Sequence, residues 1–138
     1  MDILSIAHRT LKALINYRDL SASGKLPDGA PTLPALSAGE SMVGAYVNDP
    51  SAFSDLVLFS TGGIYVFRVG SWEHVPFVKI VRTVAPENKE KVSGFMLQLD
   101  DGSSFWVPVT GSKAGRFFDA FEVLRFVDRV LADGLPQT

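Results

Sequence analysis

Two apolar runs with two-residue alternation, joined by a tight-turn sequence, restrict the fold of this chain more than any other feature. Residues 92–99 and 104–109 flank the stretch Asp100-Asp101-Gly102-Ser103. Alternation places side chains on opposite faces of a strand, and Asp-Gly between apolar runs favours a β-hairpin. The sequence therefore predicts a hairpin with one buried face. The residues predicted to point inward are Phe95, Leu97, Leu99, Phe105, Val107 and Val109.

Shorter β runs rich in Val, Leu, Phe, Tyr and Ile precede this hairpin. Thr61-Gly62-Gly63 forms a turn between two of them, and Pro76 separates two others because proline cannot donate to a strand ladder. The chain from residue 40 onward is therefore predicted to contain about seven antiparallel strands. The runs before the hairpin cover residues 41–47, 55–60, 64–68, 72–75 and 79–85.

Residues 113–133 are predicted to form a C-terminal helix. Ser112 lies at its N-cap position, Gly134 at its C-terminal cap and Pro136 just beyond. Phe118 and Phe126 fall outside its apolar arc, so either the N-terminal helix covers them or they belong to a partner surface. The arc, about half of the circumference, contains Phe117, Ala120, Phe121, Val123, Leu124, Val127, Val130 and Leu131.

Residues 1–20 are predicted to be an N-terminal amphipathic helix, since residues 2–20 contain neither Gly nor Pro. Its apolar arc spans roughly 200°, wider than the 100° or so that a helix on one core must bury, so the surplus requires a second partner. Residues 21–39 are rich in Gly, Pro and Ser and are predicted to be a linker. The helix is therefore predicted to be an appendage of a domain over residues 40–138.

About seven antiparallel strands followed by one helix is an order that resembles the pleckstrin-homology-like (PH-like) superfold. The strand-turn-strand LVLFSTGGIYVF at residues 56–67 and the segment Val75-Pro76-Phe77-Val78-Lys79-Ile80 resemble its bacterial PH-like and GRAM-like members. The resemblance implies an α+β, mostly β fold. It implies a PH-like barrel of two near-orthogonal antiparallel sheets capped by the C-terminal helix, to which this chain adds its N-terminal helix. It assigns no ligand, because members of this superfold bind different partners.

The charges argue against two classes of partner. The chain has 13 Lys and Arg against 15 Asp and Glu, for a net charge of −2, and its bases are scattered from Arg9 to Arg129. Nucleic-acid binding needs a basic face or stripe, so we expect none. Phosphoinositide-binding PH domains carry bases around the loop that joins their first two strands. The matching loop here, residues 48–55, has two acids and no base, which argues against phosphoinositide binding.

The sequence predicts no catalytic, cofactor or metal site. It has no Cys, which excludes thiol catalysis and thiolate metal ligands. His8 and His74 are the only histidines and lack metal-ligand spacing, so histidines without catalytic duty are favoured over a metal or catalytic pair. Asp100 and Asp101 are either paired carboxylates or turn formers, and the adjacent Gly102 favours the turn. We therefore expect a protein that is not an enzyme.

The leading functional hypothesis is a bacterial, cytoplasmic binding or assembly module with a homo-oligomeric, protein or peptide partner. A peripheral membrane-surface module is the alternative, and a small-molecule enzyme is the third. Apolar stretches are too short to span a bilayer, and Asp2 and Arg9 do not fit a signal peptide. The candidate interface consists of Ile3, Leu4, Ala7, Leu11, Leu14, Ile15, Phe118 and Phe126.

Overall fold

The apolar runs form two antiparallel sheets, of five and three strands, and a helix lies near each end of the chain. The computed structural model describes residues 2–22, 25–26, 28–87, 92–113 and 117–134. The fold is α+β and mostly β, as predicted. Across these ranges the two sheets do not close into a single barrel, so the closed barrel implied by the PH-like resemblance is not seen.

The strands follow one another in sequence order within each sheet, and every neighbouring pair is antiparallel. Each strand predicted before residue 86 overlaps an observed one. The first sheet contains β1 (Tyr17–Asp19), β2 (Met42–Tyr46), β3 (Leu56–Ser60), β4 (Gly63–Arg68) and β5 (Ser71–Pro76). The second contains β6 (Ile80–Val84), β7 (Gly94–Leu99) and β8 (Ser104–Pro108). A short pair, β9 (Ser112–Lys113) and β10 (Phe117–Phe118), precedes the C-terminal helix.

The predicted hairpin is confirmed as β7 and β8. Phe95, Leu97, Val107 and Val109 are buried, whereas Leu99 and Phe105 are only partly buried at the edge of the core. Alternation therefore identified the correct inward face, because a strand cannot shift by one residue without exposing every buried side chain.

The segment from Val75 to Ile80 carries the chain from the first sheet to the second. Pro76 ends β5, and Phe77–Lys79 forms a single 3₁₀ turn before β6 begins. Val75, Phe77 and Ile80 are all buried, which leaves Val78 exposed. The turn therefore leads the chain into the second sheet while keeping three apolar side chains in the core.

The predicted N-terminal helix over residues 2–20 is wrong in its length. The helix α1 covers Ile3–Thr10, and its N-cap is Asp2, whose carboxylate accepts a hydrogen bond from the Ser5 N–H at 2.8 Å. The chain then turns and pairs as β1 with β2. The apolar arc was wide because it merged the buried face of a short helix with Tyr17, which belongs to a strand. The arc therefore needs no external partner to explain its width.

Helix α1 also packs within the main core instead of standing apart as an appendage. Ile3, Ile6, Ala7 and Leu11 are buried together with residues of both sheets and of the C-terminal helix. Tyr17 of β1 lies against Gly44, where a Cβ atom would approach the tyrosine oxygen to 2.0 Å. Only glycine fits beneath this ring.

The segment predicted to be a linker packs on the outer face of the first sheet. Leu26, Leu33 and Leu36 lie against a second apolar cluster that includes Leu56 and Leu58 of β3. The Trp72 indole N–H donates to the Thr32 carbonyl at 2.8 Å. Strand β3 is therefore buried on both faces, which explains its uninterrupted apolar sequence.

The C-terminal helix begins later than predicted. Helix α2 covers Asp119–Arg129 and continues as a wider π turn over Val130–Gly134. Ser112 lies in β9 and does not cap the helix, whose N-cap residue is Phe118. Residues 114–116 of the predicted helix, and Pro136 beyond it, lie outside the described residues.

Phe126 is fully buried, so its predicted place outside the core face is wrong. Its ring packs edge-on against Phe59, with centroids 5.2 Å apart, and against Phe77 at 6.4 Å. The buried face of α2 runs through Ala120, Val123 and Phe126, whereas Phe121 and Leu124 are only partly buried. The face is therefore rotated from the predicted arc. Neither helix, over the residues that the structure describes, has the length and apolarity needed to cross a bilayer.

We predict that Leu97→Ala lowers the free energy of unfolding by about 2–5 kcal/mol, because Leu97 is completely buried and its loss leaves a cavity. The matched control is Val81→Ala in the neighbouring β6, where the side chain is exposed and the expected change is under about 0.5 kcal/mol. Urea denaturation measures both. Equal losses in the two variants would contradict the assigned strand faces.

We predict that Val69→Asn stabilises the chain by about 0.5–1 kcal/mol. Val69 and Gly70 form the two-residue turn between β4 and β5, and both have positive φ, 48° at Val69. A β-branched residue is strained there, whereas asparagine tolerates it and Asn-Gly is the preferred sequence for this turn. Val69→Thr keeps the branch and should leave the stability unchanged. A destabilised asparagine variant in urea denaturation would show that the turn is not strained.

Candidate interaction site

A cleft opens where the turn after α1 faces the start of α2, and its volume is about 570 Å³. One wall comes from the turn between α1 and β1, and the other from β9, β10 and the first turn of α2. The lining residues are Ala13, Leu14, Ile15, Asn16, Gly111, Ser112, Phe118, Asp119, Phe121 and Glu122.

A hydrogen-bond cluster centred on Tyr46 holds the polar end of the cleft. The buried Tyr46 hydroxyl donates to Asp119 Oδ2 at 2.6 Å and accepts the Gly111 N–H at 3.0 Å and Asn16 Nδ2 at 3.4 Å. The Asp119 N–H returns to the Gly111 carbonyl at 3.0 Å. Burial, followed by the hydrogen bond to Asp119, raises the pKa of Tyr46 above its ordinary value. The phenol therefore stays protonated and fixes both walls of the cleft to strand β2.

Apolar side chains form the other end of the cleft. Leu14, Phe118 and Phe121 are partly buried against the main core, and Ile15 is 83% exposed at the rim. Backbone hydrogen bonds hold the chain on both sides of Ile15, since the Tyr17 N–H donates to the Leu14 carbonyl at 3.1 Å and the Val47 N–H donates to the Asn16 carbonyl at 2.9 Å. The Arg18 guanidinium also donates to the Ile15 carbonyl at 2.5 Å. Ile15 differs from the singly exposed Val69, Val78 and Val81 because it shares one recess with Leu14, Phe118 and Phe121, and such grouping of apolar side chains makes this surface the candidate interaction site.

The residues of the candidate interface divide into two groups. Ile3, Ala7, Leu11 and Phe126 are buried in the chain's own core, and Leu4 is partly buried against it, so these five do not form a common surface. The structure brings the other three together at the cleft. Those three are Leu14, Ile15 and Phe118.

Sequence reasoning missed the polar half of the cleft. Asn16 and Glu122 belong to no recognisable sequence motif, and Tyr46 lies 73 residues from Asp119, which its hydroxyl contacts. Phe121 was assigned to the core face of the helix, yet it lines the cleft. The usable signal was Asp119 directly after two phenylalanines, since an acid is favoured in the first turn of a helix.

A second polar cluster joins the segment before β2 to the hairpin of β3 and β4. The buried Ser60 hydroxyl donates to Glu40 in a short hydrogen bond and accepts the Gly63 N–H at 3.0 Å. The Tyr65 hydroxyl donates to both carboxylate oxygens of Glu40, at 3.0 and 2.9 Å, and His74 stacks on the Tyr65 ring at 4.1 Å. Ser60 is completely buried, and its hydroxyl bonds join Glu40 to the turn between β3 and β4, so we call this cluster the latch.

The titration behaviour of this latch follows from burial and hydrogen bonding. Burial opposes ionisation of Glu40, but the hydrogen bonds from Ser60, the Ser37 N–H and Tyr65 lower its pKa below the ordinary value. Burial, together with the neighbouring Glu40, raises the pKa of Tyr65 to about 12. Burial also lowers the pKa of His74. The latch therefore holds a carboxylate and a neutral phenol at neutral pH.

The remaining residues singled out from the sequence have local structural partners. His8 Nε2 lies 3.1 Å from Asp19 Oδ2, while His74 stacks on Tyr65, so the two histidines have separate partners. Asp101 accepts the Ser103 N–H at 2.9 Å, as a turn-forming residue does. In the described part of the chain, no three His, Asp or Glu side chains converge as metal ligands.

The acidic loop over residues 48–55 is held by its own side chains. The Asn48 amide donates to the Pro108 carbonyl at 2.9 Å and accepts the Thr110 N–H at 2.8 Å, which ties β2 to the end of β8. Asp49 accepts the Ser51 N–H at 3.0 Å, and hydrogen bonds from Ser51 lower its pKa. The loop therefore presents an ionised acid, which is unfavourable for a phosphate.

Comparison of this chain with protein-family models, with curated proteins and with solved structures gives no match.

All three tyrosines have a raised pKa, which predicts a loss of stability in alkaline solution. The folded chain keeps each phenolic proton above pH 10, where the unfolded chain releases it. The stabilisation that these protonated phenols provide is therefore complete below about pH 10. Above that pH the free energy of unfolding falls, by at most about 1.4 kcal/mol per pH unit for each tyrosine. Urea denaturation between about pH 9 and 11 measures this slope.

Tyr65→Phe removes one of the three groups and should make that slope shallower between pH 10 and about 12. The comparison uses the slope and not the absolute stability, because the substitution also removes the hydrogen bonds to Glu40. An unchanged slope would show that Tyr65 titrates normally in the folded chain.

Proposed function

We propose that this chain is a non-enzymatic assembly module that self-associates through the cleft between the turn after α1 and the start of α2. One observation carries the proposal: Ile15 is 83% exposed, on a fixed backbone, at the rim of a cleft lined by Leu14, Phe118 and Phe121. Burial of such a surface against a partner is favourable, because it removes apolar area from water.

A second copy of the chain is the occupant that we favour, because one surface carries both a projecting side chain and a recess. In a two-fold dimer the same patch meets itself, so Ile15 of each copy enters the cleft of the other. The recess, at about 570 Å³, has room for a side chain of this size and its neighbour.

Charge at the rim supports the same arrangement. Asp119 and Glu122 line the cleft, and the Arg18 guanidinium lies beside Ile15, where it donates to the Ile15 carbonyl. When Ile15 enters the partner's cleft, Arg18 approaches the partner's acids. Opposite charges at the rim favour this register over arrangements that place like charges together.

The PH-like superfold is the architecture that we propose for this module. The four strands β2–β5, the three strands β6–β8 and the closing helix α2 follow the order expected of that superfold. Helix α1 and strand β1 are additions at the N-terminal side, and they supply one wall of the cleft. Self-association would then depend on the part of this chain that the superfold does not require.

We predict that Ile15→Glu weakens self-association at least tenfold, because it places a charge in an apolar contact next to Asp119 and Glu122. Sedimentation equilibrium of the full chain, from about 1 to about 500 µM, measures the dissociation constant. Val78→Glu is the matched control, since Val78 is 75% exposed on the connector between the sheets and does not line the cleft. Neither substitution removes a buried side chain.

A wild-type chain that stays monomeric over this range would contradict the proposal. Equal association of the wild type, Ile15→Glu and Val78→Glu would place the interface elsewhere and would also contradict it. A membrane-surface module predicts instead a monomer that sediments with phosphatidylcholine and phosphatidylserine vesicles and loses this binding on Ile15→Glu.

A further inference from the structure

A second recess, distinct from the cleft, lies between the two helices and carries three arginines. Its volume is about 260 Å³, and its lining residues are Ile6, Arg9 and Thr10 of α1 with Arg125 and Arg129 of α2. We call it the arginine groove. It shares no lining residue with the cleft.

The two helices hold the arginines around one space. Arg125 and Arg129 are four residues apart, so they lie on the same face of α2, while Arg9 is in the last turn of α1. Ile6 is buried beneath them. The Thr10 hydroxyl donates to the Ile6 carbonyl at 2.8 Å, so its proton is already used. The guanidinium groups are therefore the donors available to a ligand in the groove.

The acids near the groove do not neutralise it fully. Arg125 lies 3.8 Å from Glu122 and Arg129 lies 3.4 Å from Asp133, and both arginine side chains are at least half exposed. Exposed pairs of this kind are weak and exchange readily with solvent. Within the described ranges, Arg9 makes no hydrogen bond or ion pair. The groove therefore has three cations, two weakly held acids and many unused N–H donors.

We propose that the arginine groove binds a phosphate group, carried by a small soluble phosphoester or by a lipid headgroup. A guanidinium presents two parallel N–H donors that match the spacing of phosphate oxygens. A tetrahedral dianion can accept such forks from several directions, whereas a single carboxylate is planar and carries one charge. An anion also relieves the repulsion among the three cations.

The size and surroundings of the groove favour one phosphate over an extended polyanion. A volume of about 260 Å³ holds a phosphate and the first atoms of its ester. The net charge of −2 and the scattered distribution of other bases leave no basic stripe that a nucleic acid could follow. The groove is built from the helices and not from the acidic loop over residues 48–55, so that loop does not oppose the proposal. The groove and the cleft have different lining residues, although Glu122, which pairs with Arg125, also lines the cleft.

The test is a titration of the full chain with phenyl phosphate, followed by NMR and by isothermal calorimetry at constant ionic strength. Arg9→Gln combined with Arg129→Gln should lower the affinity at least tenfold, because it removes two of the three guanidinium groups. The matched control is Lys79→Gln combined with Arg82→Gln, which removes the same charge from exposed positions near β6 and should change the affinity less than twofold. All four side chains are exposed, so both variants should fold.

Substitution of the same two arginines by lysine separates the contribution of the paired guanidinium donors from the contribution of the positive charge. Arg9→Lys with Arg129→Lys keeps the charge but loses the paired donors, and we expect an affinity between those of the wild type and the glutamine variant. Equal losses in the groove and control variants would show a non-specific charge effect and would overturn the proposal.

Vesicles distinguish the two sources of phosphate. A lipid headgroup predicts co-sedimentation with phosphatidylcholine vesicles that contain phosphatidic acid, more than with vesicles of equal surface charge that contain phosphatidylserine. A soluble ligand predicts phenyl phosphate binding without preferential vesicle binding. If neither phenyl phosphate, at concentrations up to about 10 mM, nor the vesicles show saturable binding, the site is refuted.

Discussion

The packing of Phe126 between Phe59 and Phe77 is the contact on which the rest of the structure depends. Phe59 belongs to the first sheet and Phe77 to the turn that leads to the second, so one ring of α2 contacts both sides of the junction. Fixing α2 in this way brings Asp119 at its start to Tyr46 on β2. The same placement leaves one side of the helix facing the cleft and another facing the arginine groove. Both candidate sites therefore depend on where the packing of α2 places its two sides.

The sequence predicts those parts of the fold that are determined by residues close together in the sequence. The hairpin of β7 and β8 follows from alternation and an Asp-Gly turn, and both are local. The N-terminal region could not be predicted in the same way, because Leu11 and Tyr17 fit one helical arc although the helix ends at Thr10 and a strand begins at Tyr17. Pairing of β1 with β2 depends on Gly44, which is distant in sequence. The segment that covers the outer face has no apolar period, so its leucines gave no signal.

The candidate sites show the same division. Of the eight residues in the predicted interface, Leu14, Ile15 and Phe118 line the cleft. The other five, Ile3, Leu4, Ala7, Leu11 and Phe126, pack in or against the core. The hydrogen-bond cluster around Tyr46 was not predictable, since its members come from distant parts of the chain. The arginine groove was hidden for the same reason: bases that look scattered in sequence are brought together by two helices. Charge patterning along a chain therefore underestimates local charge in a fold with many long-range contacts.

The contact between α1 and α2 has a consequence for how the chain reaches its native state. These helices are separated by almost the whole sequence, yet both complete one core with the sheets between them. During synthesis, the apolar inner faces of both sheets remain incompletely covered until α2 has left the ribosome. Closing such long loops is slow, and exposed strands are prone to aggregate in the interval. The time between translation of β8 and docking of α2 is therefore the stage at which the strands of this chain expose their apolar inner faces.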